Sequence, residues 1–413
     1  MDREIGCSPF LSRPKVFPDE TLESYLIRVA RSNSISLRSL IRFICLGIDG
    51  VADSSVPGFD EFNLFHANLH PEIRYRGVDR LAARVGITSQ SLRDITLSRS
   101  ITKCSNNLSN FIYQNVKIPN TLYRRYFVPV CPACLAESGY IRQYWHVSVN
   151  IICPTHKVFL IDKCPKCGVS ISYIKSRSIS NCSCGFDLKK ATSTSLSINL
   201  EYDLLLETSS LIAHAFNKGI VFESEKLSCL GSNVFHLFCF ALFYFRYIDD
   251  GNSISEYGVD SDKILAFHDF LRDWPVAYKD FLENKVIKGL RLLVKPAYKT
   301  GFNKVFGRLI QEVQNLPDNC LKHNAVLRET LEFFQKVCAS EKETKSRHAV
   351  SNLLLTKQET ALILQVSTNT VAQLTAQGRL LASQKKLEAY VPLYPLSQVF
   401  AILLTRYKNK ELE

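Results

Sequence analysis

Eight soft metal ligands fall in four short pairs between residues 131 and 184: Cys131-Pro-Ala-Cys134, Cys153-Pro-Thr-His156, Cys164-Pro-Lys-Cys167 and Cys182-Ser-Cys184. Two side chains at a turn, separated by one or two residues, can reach a single ion together without straining the backbone. Grouped in chain order, Cys131, Cys134, Cys153 and His156 form one tetrahedral set, and Cys164, Cys167, Cys182 and Cys184 form a second. Each set closes a loop of about 14 to 18 residues, the range of structural zinc modules. Four protein ligands per ion leave no position for water, so the pattern predicts two structural Zn2+ ions and no catalytic one. Proline follows the first cysteine in three of the pairs, and Gly168 and Gly185 follow the last two, which isolated core cysteines would not require. Pairing into disulfides is disfavoured, because the chain shows no secretory signal and its remaining cysteines are scattered at apolar positions such as Cys45, Cys229 and Cys239.

A metal module of this size accounts for only part of 413 residues, and the remainder is long enough for two to four domains with real cores. The longest apolar run, from Val234 to Phe245, contains His236 and is too short to span a bilayer; it is expected to be a buried helix. The net charge of +12 points to a polyanionic partner, nucleic acid or a complex that contains it. Free cysteines without a targeting segment place the chain in the cytoplasm and away from membranes.

The fold class expected is mainly α: an N-terminal helix-turn-helix domain over 1–120, a tandem zinc-knuckle module over 121–190, a helical domain over 191–340 and a C-terminal helix-turn-helix over 341–413. In the first segment Leu22, Tyr25, Leu26 and Val29 recur at helical spacing after Asp19, a candidate N-cap. A turn at Asn33-Ser-Ile-Ser36 leads to a second stripe, Leu37, Leu40, Ile41 and Ile44, leaving Arg28, Arg31, Arg38 and Arg42 for solvent. Leu81 to Val85, Gly86, Ile87 and Thr88 with Leu92 and Ile95 repeat the idea. Leu188 to Asn199 reads as an exit linker, Asp249 to Ser253 as a loop, Pro275 as the start of a helix and Ala339 to Arg347 as a second linker. The clearest local signal is Thr356-Lys-Gln-Glu359, a capping box, followed by Ala361, Leu362 and Leu364, a turn at Val366-Ser367, Val371 and Leu374, and Gly378 as a left-handed stop.

Which of these elements carries function is less sharply written. The second C-terminal helix would expose Thr368, Asn369, Thr370, Gln373 and Gln377 with Arg379 just beyond, groups that suit either adenine edges or a protein surface, with few cations to grip phosphate. Arg74, Arg76, Arg80 and Arg84 cluster in sequence, as a solvated face or as a DNA contact. Tyr123-Arg-Arg-Tyr126 interleaves aromatics with cations, as stacking surfaces do, but a segment packed against the first knuckle explains it better. Trp145 is expected to pack, and His146 is left out of the ligand set because Cys153 and His156 have the better spacing. No nucleophile beside a base, paired carboxylates, open metal site or glycine-rich phosphate loop stands out, so no catalytic residue is assigned.

The run from Arg13-Pro-Lys-Val-Phe-Pro-Asp-Glu-Thr-Leu-Glu-Ser-Tyr-Leu-Ile-Arg28, then Cys131-Pro-Ala-Cys134, Trp145, Cys153-Pro-Thr-His156 with Leu160, and Cys164-Pro-Lys-Cys167-Gly168, closely resembles the TniQ family of bacterial transposition target selectors. The resemblance spans about residues 10 to 190, and Trp274-Pro275 also looks like the family. It implies a protein that chooses where a transposon inserts without cutting or joining DNA. Longer members, like TnsD, bind a fixed attachment site directly. Shorter ones, near this length, dimerise and attach to a guide-RNA Cascade complex, marking target DNA for the ATPase TnsC and the transposase. The single C-terminal helix-turn-helix with a weakly basic face favours the second kind. Cys182-Ser-Cys184 departs from the usual two-residue spacing, which makes the second zinc set the less regular one.

Overall fold

A computed structural model of the chain describes residues 9–46, 59–62, 71–99, 110–196, 202–218, 233–249, 254–255, 258–316, 324–339, 349–383 and 392–410. Cys229, the loop at 250–253 and the charged stretch at 340–347 lie outside the described residues. The described residues are mainly helical, with short antiparallel strand pairs and one three-stranded sheet. No helix among them is long and apolar enough to cross a membrane. The chain forms two compact units, one from Met1–Ser224, Ser232–Phe238 and Ser253–Leu265, the other from Glu225–Gly231, Cys239–Asn252 and Ala266–Glu413.

The first unit starts with helices α1 (Leu22–Ser32) and α2 (Leu37–Cys45), which bury the predicted stripes: Leu22, Tyr25, Leu26 and Val29 on one, Leu37, Leu40, Ile41 and Ile44 on the other. Ser36 caps α2 through the Ser39 N–H. Helices α3 (Pro71–Val85) and α4 (Ser89–Asp94) follow, joined at Gly86, whose φ of +71° suits glycine, and capped by Thr88. Asp19 does not cap α1. Thr21 does, accepting from the Ser24 N–H at 3.1 Å, while the buried Asp19 carboxylate accepts from the Tyr140 hydroxyl and the Arg142 guanidinium, each at 2.7 Å. A carboxylate two residues too early for the cap is free to bind residues more than a hundred positions away. Neighbouring Glu20 is buried as well, against Arg28 at 2.5 Å and the Ser24 hydroxyl at 2.9 Å; burial pushes its carboxyl up to about 7 against the pull of Arg28. Arg28, expected in solvent, is therefore half-buried and lies 4.8 Å over the Phe17 ring. Arg74 leaves its sequence cluster in the same way, donating to the Leu97 carbonyl at 2.8 Å and pairing with Glu23, so it belongs to the core and not to a solvated face.

Strands β1 (Ser98–Arg99), β2 (Asn110–Tyr113) and β3 (Val116–Pro119) form the antiparallel sheet, with Phe111 opposite Ile118. The short helix α5 (Pro132–Glu137) and the hairpin β4 (Ile152–Cys153) and β5 (Val158–Phe159) come next. The stretch expected to be an exit linker is not one at its start: Leu188 is buried, the Phe159 N–H donates to the Thr194 carbonyl at 2.9 Å, and the Leu196 N–H donates to that of Lys157 at 3.0 Å. Serine and threonine in alternation suit an extended edge on β5, so the polar composition marks a strand-like segment.

The apolar run at 234–245 is buried as expected, in α6 (Val234–Phe243) and the π turn after it. In the second unit Pro275 immediately precedes α7 (Val276–Arg291), and the preceding Trp274 stacks on Tyr278 at 5.2 Å and meets Phe240 edge-on at 4.9 Å. The buried Tyr278 hydroxyl bonds Thr330 on α9 (Ala325–Ala339) at 2.7 Å. Between α7 and α9 in sequence, α8 (Asn303–Phe306) crosses α7 at Gly289, where an added Cβ would stand 2.7 Å from a Val305 methyl and 3.0 Å from its backbone. Gly289→Ala is expected to destabilise this unit by about 1–3 kcal/mol, the range for overpacking. A thermal melt reads it, and an unchanged midpoint would show that the crossing relaxes freely. The unit ends in α10 (Lys357–Ile363), α11 (Thr368–Ala376) and α12 (Leu396–Lys410). The capping box is present in both directions, the Thr356 N–H donating to Glu359 at 2.7 Å and the Glu359 N–H to the Thr356 hydroxyl at 3.2 Å. Gly378 stops α11 at φ +68°. Val371 and Leu374 are buried, while Asn369, Gln373, Gln377 and Arg379 are exposed.

Candidate metal centres

The eight predicted ligands converge in two groups of four, with one ligand atom from each residue within 4.8 Å of the others in its group. The first group is assembled from two different local structures. Cys131 is the N-cap of α5, Pro132 occupies the first helical position where its missing N–H is harmless, and Cys134 sits in the first turn. Cys153 ends β4 and His156 lies in the hairpin turn, closed by the Lys157 N–H on the Cys153 carbonyl at 2.8 Å. A helix start and a hairpin turn each offer two side chains, and the fold of the intervening residues decides whether they meet.

They meet with tetrahedral dimensions. A metal with arms of about 2.3 Å to sulfur and about 2.0 Å to nitrogen has tetrahedral edges of about 3.8 Å between sulfurs and about 3.5 Å between sulfur and nitrogen. The His156 Nδ1 lies 3.5, 3.3 and 3.5 Å from the sulfurs of Cys131, Cys134 and Cys153, and the Cys134 and Cys153 sulfurs are 3.5 Å apart. In the second group the Cys164 and Cys184 sulfurs, and those of Cys167 and Cys182, are each 3.7 Å apart. Disulfides, at about 2.05 Å, are excluded by these separations. The irregular Cys182-Ser-Cys184 spacing is absorbed by a tight turn, the Gly185 N–H donating to the Cys182 carbonyl at 2.9 Å with Gly185 at φ +82°.

Charge explains why a cation fits. Three thiols crowded together cannot all ionise: hydrogen bonding with Cys131 and Cys153 raises the Cys134 thiol far above its ordinary range, while the thiols of Cys131 and Cys134 hold Cys153 low as the one favoured thiolate. A divalent ion would relieve that repulsion and let every sulfur bind as thiolate. His156 is already oriented, its Nε2 bonded to the Glu137 carboxylate at 2.8 Å with Nδ1 facing the sulfurs. A carboxylate behind a ligating imidazole fixes its tautomer and raises its basicity. Glu137 belongs to no ligand pair in the sequence, although its place three residues after Cys134 puts it one helical turn along on α5. The two groups differ in setting: Cys131, Cys134 and Cys153 are buried, whereas Cys167 and Cys184 are exposed.

His146 takes no part in either group. It is buried with Nδ1 on the Arg124 carbonyl at 2.7 Å and Nε2 on the Tyr173 hydroxyl at 3.0 Å, and burial pulls its pKa down to about 4, which keeps the ring neutral. Trp145 is fully buried. In the Tyr-Arg-Arg-Tyr run, Tyr123 and Arg124 point into the unit, Arg124 donating to the carbonyls of Trp145, Val147, Ser148 and Asn150. The packing reading of that run holds for these two residues.

Residues 11–160 match the model of the TniQ family. This stretch is a TniQ region. No curated protein matches the chain. The TniQ region takes in α1 to β5 and all four ligands of the first group, and it stops four residues before Cys164. The second group and Trp274-Pro275 lie outside it. A TniQ region marks a protein associated with the selection of transposition targets.

Proposed function

We propose that the chain is a target-selection adaptor of transposition, held together by two structural Zn2+ ions, which docks as a homodimer on a guide-RNA Cascade complex and recruits the TnsC ATPase and the transposase to the target DNA. The observation that carries the reading is the TniQ match over residues 11–160, containing a closed Cys3His group. Closed four-ligand groups of this kind suit a scaffold and leave no place for a metal-bound water. We read α1 with α2, α3 with α4, and α10 with α11 as helix-turn-helix elements, keeping 1–120, 121–190, 191–340 and 341–413 as the functional segments.

Docking by protein contact is favoured over readout of a fixed DNA site by the face of α11. Asn369, Gln373 and Gln377 are exposed there, and Arg379 supplies the cation just past its end, a sparse set for gripping phosphate. Copurification with Cascade at a salt concentration that abolishes DNA binding is the expected result. No association with any Cascade would sink the adaptor reading. A footprint made by the purified chain alone at one fixed site, weakening steeply with salt, would replace it with a TnsD-like DNA-binding selector.

A further inference from the structure

One cleft in the first unit gathers cations from both of its walls. It has a volume of about 420 Å³ and lies between the α1–α2 turn and the loop at 177–181 beside the second knuckle group. Arg31 and Arg38 stand on the helical side and Arg177 and Lys189 on the other, all four exposed, with Ser36 and Asn181 as neutral donors between them. No Asp or Glu lines it. Arg31, Arg38 and Lys189 make no ion pair among the described residues, in contrast to Arg28 at the cleft edge, which Glu20 neutralises.

We propose that this cleft grips the phosphate backbone of duplex DNA, independently of base sequence. Several cations converging without an acid between them, flanked by hydroxyl and amide donors, are the groups that contact phosphate oxygens and fix register on a duplex. The lining contains no Phe, Tyr, Trp or His. Single-stranded nucleic acid and unpaired RNA loops are held by stacking splayed bases on aromatic rings, and this cleft has no such platform. The α1–α2 pair and the second knuckle would then act together as the two jaws of one backbone contact, a role separate from docking on a protein complex.

The test is a salt series of binding to a labelled duplex of arbitrary sequence, using the full chain with its metal. The variant Arg31→Gln/Arg38→Gln/Lys189→Gln is expected to bind at least about 10-fold more weakly at low salt, and its log–log salt slope to fall by about 2 to 3, near 0.9 for each phosphate that is no longer neutralised. The charge-matched variant Lys117→Gln/Lys163→Gln/Lys304→Gln, outside the cleft, is expected to keep most of the slope. Arg31→Lys/Arg38→Lys/Lys189→Arg should restore the slope and so separate the effect of charge from that of a damaged fold. Equal slopes for the cleft and control variants would overturn the proposal. So would a cleft variant that no longer binds single-stranded RNA of equal length while retaining the duplex. Copurification with Cascade is read separately, so failure here leaves the adaptor reading standing, and the reverse.

Discussion

Cys131→Ser is expected to abolish the cooperative melting transition of the first unit and to lower bound metal from about two ions per chain to about one. The reason is thermodynamic. Apparent binding free energies for structural zinc are on the order of 10–16 kcal/mol, comparable with the whole stability of a domain, so a closed site supplies folding energy directly. Serine offers no thiolate, and the three remaining ligands would be left with a buried hydroxyl among two thiols and an imidazole. Cys131 also starts α5, so the defect propagates into a helix as well as a site. Cys184→Ser should behave differently. That residue is exposed on a turn of the second group, and replacing it removes one ion while lowering the melting midpoint by only several degrees. Metal content by mass spectrometry, read beside circular dichroism, checks both. Soluble Cys131→Ser protein without its ion and with the wild-type melting curve would contradict the structural role.

The contrast between these two variants cannot be drawn from spacing, which treats the knuckles alike. Spacing picks out the eight side chains that converge and the grouping in which they do so, because a metal site requires short local separations that are visible along the chain. Capping is legible for the same reason: Thr88 and the Thr356–Glu359 box act within one helical turn. What escapes is charge that works at long range. Asp19 has the pattern of a cap and instead binds Tyr140 and Arg142; Arg28 and Arg74 have the pattern of solvent residues and instead meet Glu20 and Glu23. A charged side chain in a polar-rich helix gives no local sign that its partner lies many residues away. Glu137 is intermediate, since its position one turn after Cys134 is visible in the sequence but its orientation toward His156 is not.

Arg124 is the largest such case, and Arg124→Met is expected to destabilise the first unit by about 3–5 kcal/mol. Its guanidinium is buried and donates at 2.9–3.1 Å to four carbonyls, those of Trp145, Val147, Ser148 and Asn150, with burial pulling its pKa down to about 10. Backbone carbonyls, and not a carboxylate, carry most of its solvation. Methionine matches the length and removes the buried charge, which recovers some desolvation, but it strands several carbonyls at about 1–3 kcal/mol each, so the penalty prevails. Arg124→Lys keeps the charge as a compact ammonium with three donors in place of the planar fork and should fall between the two. Arg125→Met, at the exposed neighbour, should stay within about 0.5 kcal/mol. For a unit of this size the Arg124→Met midpoint should drop on the order of 10 °C. Equal melting of the Arg124 and Arg125 variants would show that the four hydrogen bonds carry no net stability. The carbonyls concerned belong to the segment between the Cys134 and Cys153 pairs, the loop that must hold its shape for the first group to close. Arg124→Met should therefore also weaken metal retention at that group while leaving the second at its wild-type occupancy, a split that general unfolding would not produce.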